Sequence, residues 1–112
     1  QKVGRILSVS SVACDEGRAR RYTVFGQVFF ASADRFSTVF DYQEVVDKVY
    51  IDVSRAHFWD ITAVSALDKI VIKFRREGTD VEVIGLNQAS ATLVDKFAIH
   101  DKDGADDLLL DH

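Results

Sequence analysis

The feature that most constrains this chain is the alternation of short β-branched runs with segments of helical period. Ile6 to Ala13 reads as a strand with imperfect alternation, and the polar triplet Asp15-Glu16-Gly17 turns it. Arg21 to Phe25 alternates polar and apolar residues, and Val28-Phe29-Phe30 continues the run beyond Gly26, where a bulge or a close backbone approach is expected. The spacing of Phe36, Val39 and Phe40 then predicts a short helix with Ser32 at its N-cap. Val49 to Val53 is a β-branched strand with Val49, Ile51 and Val53 on one face. After Phe58-Trp59, Asp60 is placed to cap a helix running to about Arg76. Its apolar stripe is Ile61, Val64, Leu67, Val71 and Phe74, and Ala63 and Ala66 permit close approach to a sheet. Thr62, Ser65, Asp68, Lys69 and Lys73 form the polar face, and Gly78 suits a left-handed stop behind Lys73, Arg75 and Arg76. Val81 to Gly85 is a further strand, and Asn87 is expected to cap a last helix over 88–98 with Ala91, Val94, Phe97 and Ala98 inward. Strands that alternate with helices need crossover connections, and these force parallel pairing. The fold class is therefore α/β: a small open mixed sheet, an N-terminal antiparallel hairpin followed by parallel strands, flanked by helices.

Length and composition agree with one such unit. At 112 residues, 47% hydrophobic and 29% charged, the chain suits a single core. Fourteen basic against eighteen acidic residues give a net charge of −4, a poor match to a phosphate backbone, so nucleic acid is not an expected partner. The single cysteine, Cys14, has no partner for an internal disulfide and none of the spaced ligands of a zinc site. No run approaches the ~18–20 apolar residues of a membrane helix. Methionine is absent and the chain opens on Gln1, which points to a processed chain or to a domain excised from a larger protein.

Motifs for catalysis are missing. His57, His100 and His112 are scattered, and there is no Gly-rich phosphate loop, no GxSxG elbow and no Cys/His pair, so neither a metal site, nor a cofactor, nor an enzyme is expected. The carboxylates Asp52 and Asp60 would bracket one loop at the carboxyl end of a strand, where α/β proteins place ligands, but capping a loop and a helix accounts for both. Arg18, Arg20 and Arg21 are the one basic cluster, read as a solvated turn rather than a lipid-binding site, which needs ~4–8 basic residues. Most aromatic residues belong to the core, with Trp59 the candidate exposed contact.

Two segments carry a family resemblance. Val49 to Ser54, a loop, and then Trp59 to Leu67 resemble the strand–loop–helix signature of STAS domains, found in anti-sigma factor antagonists and in sulfate permease (SulP) anion transporters. The segment Tyr22 to Ala33, with its glycine and Phe-Phe-Ala-Ser turn, resembles the SulP subgroup. The resemblance implies a STAS-like fold over residues 1–112 as the cytoplasmic, C-terminal part of a membrane transporter for sulfate-like inorganic anions. Such a domain lies on the cytoplasmic face of the inner or plasma membrane and regulates and binds rather than catalyses. Its implied partners are the transmembrane domain of the same chain, a cytosolic regulatory protein and a second copy through a dimeric parent. A nucleotide at the helix start is a weaker candidate.

Antagonists carry Asp-Ser-Ser-Gly at the start of the second helix, with the first serine phosphorylated. The matching residues here are Asp60, Ile61, Thr62 and Ala63, so the acceptor position is an isoleucine. This argues against the alternative, a stand-alone antagonist-like module. The resemblance places the regulatory, partner-binding surface on Trp59, Asp60, Ile61, Thr62 and Ser65. Thr62 is the candidate phosphorylation site, because a phosphate there would meet free N–H groups at a helix N-terminus.

Overall fold

The computed structural model describes residues 7–91 and residue 93. Strand β1 (Leu7–Cys14) turns through Asp15, Glu16 and Gly17, all at positive φ, into β2 (Ala19–Val28). The two pair antiparallel from Leu7↔Gly26 to Cys14↔Ala19. After α1 (Ala33–Thr38), β3 (Lys48–Phe58) joins β2 in parallel. Helix α2 (Ile61–Arg76) leads to β4 (Asp80–Ile84), parallel to β3, and a short α3 (Leu86–Ala89) follows. The four-stranded sheet has the order β1-β2-β3-β4, the mixed open sheet that the alternation of elements predicts. Among the described residues no helix is long and apolar enough to cross a membrane.

The core lies between one face of the sheet and helices α1 and α2. Tyr22, Val24 and Val28 from β2 and Val49, Ile51 and Val53 from β3 meet Phe36 of α1 and Ala63, Leu67, Ile70 and Phe74 of α2. Tyr22, Phe40 and Phe74 pack ring against ring, with centroids 4.6 to 6.1 Å apart. The loop after α1 is tied to this cluster: the Asp41 N–H donates to the Tyr22 hydroxyl at 3.1 Å, and the Tyr42 hydroxyl donates to the Ser37 carbonyl at 2.7 Å. Opposite positions on the strands form the sheet's polar face, where Arg21 and Asp52 pair at 2.7 Å.

Helix α2 matches its expected span at both ends. Asp60 is its N-cap, and at the other end the Gly78 N–H reaches the Arg75 carbonyl (3.0 Å) and the Thr79 N–H the Phe74 carbonyl (3.1 Å), a Schellman stop with Gly78 at φ +87°. Its first apolar residue is a correction: Ile61 is 62% exposed, and Ile70 rather than Ile61 completes the buried stripe.

Several boundaries differ from the sequence expectation. Strand β3 runs to Phe58, not Val53, because a bulge intervenes: Thr23 pairs with Asp52 but Phe25 with Arg55, so Val53 and Ser54 together face Val24. The extra residue moves the buried face from Val49, Ile51 and Val53 to Ala56 and Phe58, which breaks the period of two. The bulge is thus in β3 and not at Gly26, which pairs on both sides, with Leu7 and with Ala56. Phe29 and Phe30 lie beyond the end of β2.

Helix α1 stops at Thr38, leaving Val39 39% exposed. The Ser37 and Thr38 hydroxyls donate back to the Asp34 and Arg35 carbonyls at 2.9 Å and compete with its continuation. Ser32 stands at the N-cap position but makes no side-chain cap bond; its buried hydroxyl instead accepts from the Phe29 N–H. At α3 the cap is Gly85, at φ +79°, not Asn87. The expected inward residues Val94, Phe97 and Ala98 lie outside the described residues, as do Ile6 and the acidic tail.

Candidate interaction surface

Because β2, β3 and β4 are parallel, their carboxyl ends share one edge of the sheet, the edge where open α/β folds bind ligands. Each end delivers an exposed apolar side chain. The turn after β2 presents Phe30, 72% exposed; the residues after β3 present Trp59 and Ile61, 40% and 62% exposed; and Leu86, 42% exposed, follows β4.

Asp60 organises this edge. One carboxylate oxygen accepts from the Ala63 N–H at 3.1 Å and caps α2. The other accepts from the Phe30 N–H at 3.0 Å and fixes the β2–α1 turn to the helix start. The Trp59 N–H donates to the Val28 carbonyl at 3.0 Å, and its indole N–H donates to the Gln27 side-chain carbonyl, so the indole is held against β2. Thr62 and Ser65 are exposed on the first turns of α2. From Ile61 a groove of about 460 Å3 runs along the flank of α2, lined by Val64, Ser65, Val71, Val83 and Leu86 among others, with Asp68 and Arg75 as its charged members.

Trp59, Asp60, Ile61, Thr62 and Ser65 are therefore neighbours at one helix start, as the sequence suggests. Phe30 and Leu86 are members that sequence reasoning missed. Phe29-Phe30 reads as the end of an apolar strand, and the Asp60 bond that holds Phe30 at the surface spans thirty residues. The arrangement offers apolar contact area with hydroxyls beside it. It disfavours a free anion, because the Asp60 carboxylate already occupies the cap and repels a second negative group.

The other chemical candidates are dispersed. Asp52 sits inside β3, six residues before its end at Phe58, so at ~3.3 Å per residue it lies roughly 20 Å short of the strand end that leads to Asp60. Asp52 accepts from the Ser54 N–H and hydroxyl at 3.0 and 2.7 Å and from Arg21 at 2.7 Å. Partial burial pushes its carboxyl up, and these donors outweigh that, holding it below the ordinary aspartate range. The basic cluster is divided: Arg21 pairs with Asp52, Arg20 pairs with Glu44 at 2.7 Å, and Arg18 turns to the Asp15 carbonyl. Among the described residues no three His, Cys, Asp or Glu side chains gather as a metal site requires.

Comparison with known proteins agrees with the fold. Residues 15–106 match the STAS domain family. A crystal structure of an anti-sigma factor antagonist STAS domain from Rhodobacter sphaeroides is 52% identical, with a TM-score of 0.76, over 78% of this chain and 95% of that one. The structure of SLC26A9 shares the fold, with a TM-score of 0.54 at 15% identity, over 76% of this chain and 17% of that one. The protein named "Putative sulfate transporter YbaR" of Bacillus subtilis (strain 168) is 41% identical over 97 residues, 87% of this chain. The chain spans only 20% of that relative's length. The mixed open sheet and the match over residues 15–106 make this chain a member of the STAS domain family.

Proposed function

We propose that residues 1–112 are one regulatory and interaction domain on the cytoplasmic face of a SulP-type secondary transporter of sulfate-like inorganic anions. The observation that carries this is the 41% identity to the YbaR protein over 97 residues that amount to only a fifth of that protein. The remaining length of such a relative leaves room for the anion pathway, and this domain supplies control rather than transport or catalysis. Its contact surface is the strand-end edge formed by Phe30, Trp59, Asp60, Ile61, Thr62 and Ser65. Exposed aromatic and aliphatic side chains around a fixed backbone suit a protein partner, either the transmembrane domain of the same chain or a cytosolic regulator. Thr62 is the proposed phosphorylation site on that surface, where a phosphate beside the Asp60 carboxylate that already caps α2 would act by repulsion and not by anchoring at the helix N-terminus. Thr62→Glu is expected to change partner affinity or anion uptake by the parent protein, and a variant that leaves both unchanged removes Thr62 from the mechanism.

A second reading, a stand-alone antagonist-like module, is favoured by the 52% identity to an anti-sigma factor antagonist domain matched over 95% of its length. Ile61 at the position of the antagonists' phosphorylated serine weighs against it. An immunoblot of fractionated source cells, with antibody raised against this chain, separates the two. A membrane-fraction band several times larger than 12.6 kDa is the expected result. A soluble band near 12.6 kDa overturns the transporter assignment in favour of the second reading.

A further inference from the structure

The two edges of the sheet are built differently. At one edge β4 is short, five residues, and carries Asp80 and Glu82, both within 4 Å of the Lys48 ammonium. Charges of this kind are how proteins keep an edge strand from pairing with another chain. At the other edge β1 has eight residues, Leu-Ser-Val-Ser-Ser-Val-Ala-Cys, with no charged residue and no proline. Among the described residues β1 pairs with β2 alone, so one row of its backbone donors and acceptors faces away from the sheet. Val12 on this strand is 60% exposed. Beside the strand lies a groove of about 320 Å3, lined by Leu7, Ser8, Val9, Arg35 and Val39.

We propose that β1 is the surface on which a second copy of this chain adds, β1 against β1 and antiparallel, joining two four-stranded sheets into one. A two-fold axis normal to the sheet and passing beside Ser10 keeps the helix-bearing faces of both copies on the same side. It sets Ser10 opposite Ser10 of the second copy, Ser8 opposite Val12, Val9 opposite Ser11 and Leu7 opposite Ala13. Each of these pairs is uncharged, and each joins residues of the same face, because the axis preserves the alternation of side chains. Small side chains of the incoming strand, Ser11 and Ala13, fall beside the groove at Leu7 and Val9. The same superposition about the middle of β4 would set Glu82 against its own copy, like charge against like, which is why the second copy is assigned to β1. An eight-residue edge buries less than the ~1,200–2,000 Å2 of a stable interface, so the pairing is reversible and concentration-dependent.

Sedimentation equilibrium of the chain, from micromolar to submillimolar concentration, tests this. The expected result is a monomer–dimer equilibrium that Ser10→Lys and Ser10→Glu each weaken by roughly tenfold, since like charges then face each other across the axis. An equimolar mixture of the two variants is expected to recover the dimer as a Lys/Glu heterodimer. Circular dichroism of both exposed-site variants checks that they remain folded. A wild-type chain that stays monomeric throughout overturns the proposal. So does a dimer that both variants form as readily as the wild type, or a mixture of folded variants that does not recover it.

Discussion

Two aspartates that look alike in the sequence do different work in the fold. Asp60 bonds two backbone N–H groups that belong to separate elements, Ala63 in α2 and Phe30 in the preceding turn. Asp60→Ala is therefore expected to cost about 1–2 kcal/mol, the range of a lost N-cap, with the Phe30 N–H losing its acceptor as well. A thermal melt should register this as a drop of roughly 4–8 °C per kcal/mol in a domain of this size, and an unchanged melt would mean the cap carries no stability. Asp52 acts instead through its ionisation. Its folded carboxyl lies below the ordinary value of ~3.9, so the ionised group stabilises the fold above that value. This contribution is lost as pH falls through the folded value, where the unfolded chain has already taken up its proton. Urea unfolding of the wild type and of Asp52→Asn across the acid range should give a stability gap that closes as pH falls below about 4. A gap that stays constant or widens would place the effect outside the Arg21–Asp52–Ser54 cluster.

At the scale of elements, the bulge in β3 and the start of α3 are one feature. A Cβ built on Gly85 would lie 2.4 Å from the Cβ of Ser54, the extra residue of the bulge, and Gly85 also sits at φ +79°. Gly78 has a similar φ of +87°, but a Cβ added there would meet nothing within 4 Å. Gly78→Ala should thus cost only the left-handed penalty of about 1–2 kcal/mol, whereas Gly85→Ala adds a backbone clash and should exceed about 3 kcal/mol. Denaturant melts of the pair decide it, since equal losses would mean that α3 shifts away from the bulge without cost. The same contact explains what sequence could and could not foretell. The antiparallel hairpin, the parallel strands and both ends of α2 were legible because their signals are local: Asp60 before an apolar stripe, Gly78 after Arg75 and Arg76. The full length of β3 was hidden because one inserted residue exchanges its inner and outer faces at Ser54. The cap of α3 was hidden because Gly85 is selected by a residue thirty-one positions away.

For the whole molecule, the parallel arrangement gathers separate apolar residues at one edge. Phe30, Trp59, Ile61 and Leu86 come from three strand ends, and only Trp59 and Ile61 are close in sequence, which is why half of the surface was legible and half was not. If this edge is a contact surface, charge placed on it should affect association and leave folding intact. Phe30→Glu and Ile61→Glu are expected to change stability by no more than about 0.5 kcal/mol, since both side chains are largely exposed. In the longer polypeptide proposed above they are expected to alter sulfate uptake by cells. Val45→Glu is the matched control, because Val45 is 96% exposed and lies in the loop between α1 and β3, away from the strand ends. Uptake changed by the first two variants and not by the third assigns regulation to this edge. If all three variants transport alike, with unchanged protein levels, the strand-end surface is not the contact through which the domain acts, and the α2 groove beyond Val64 becomes the next segment to charge.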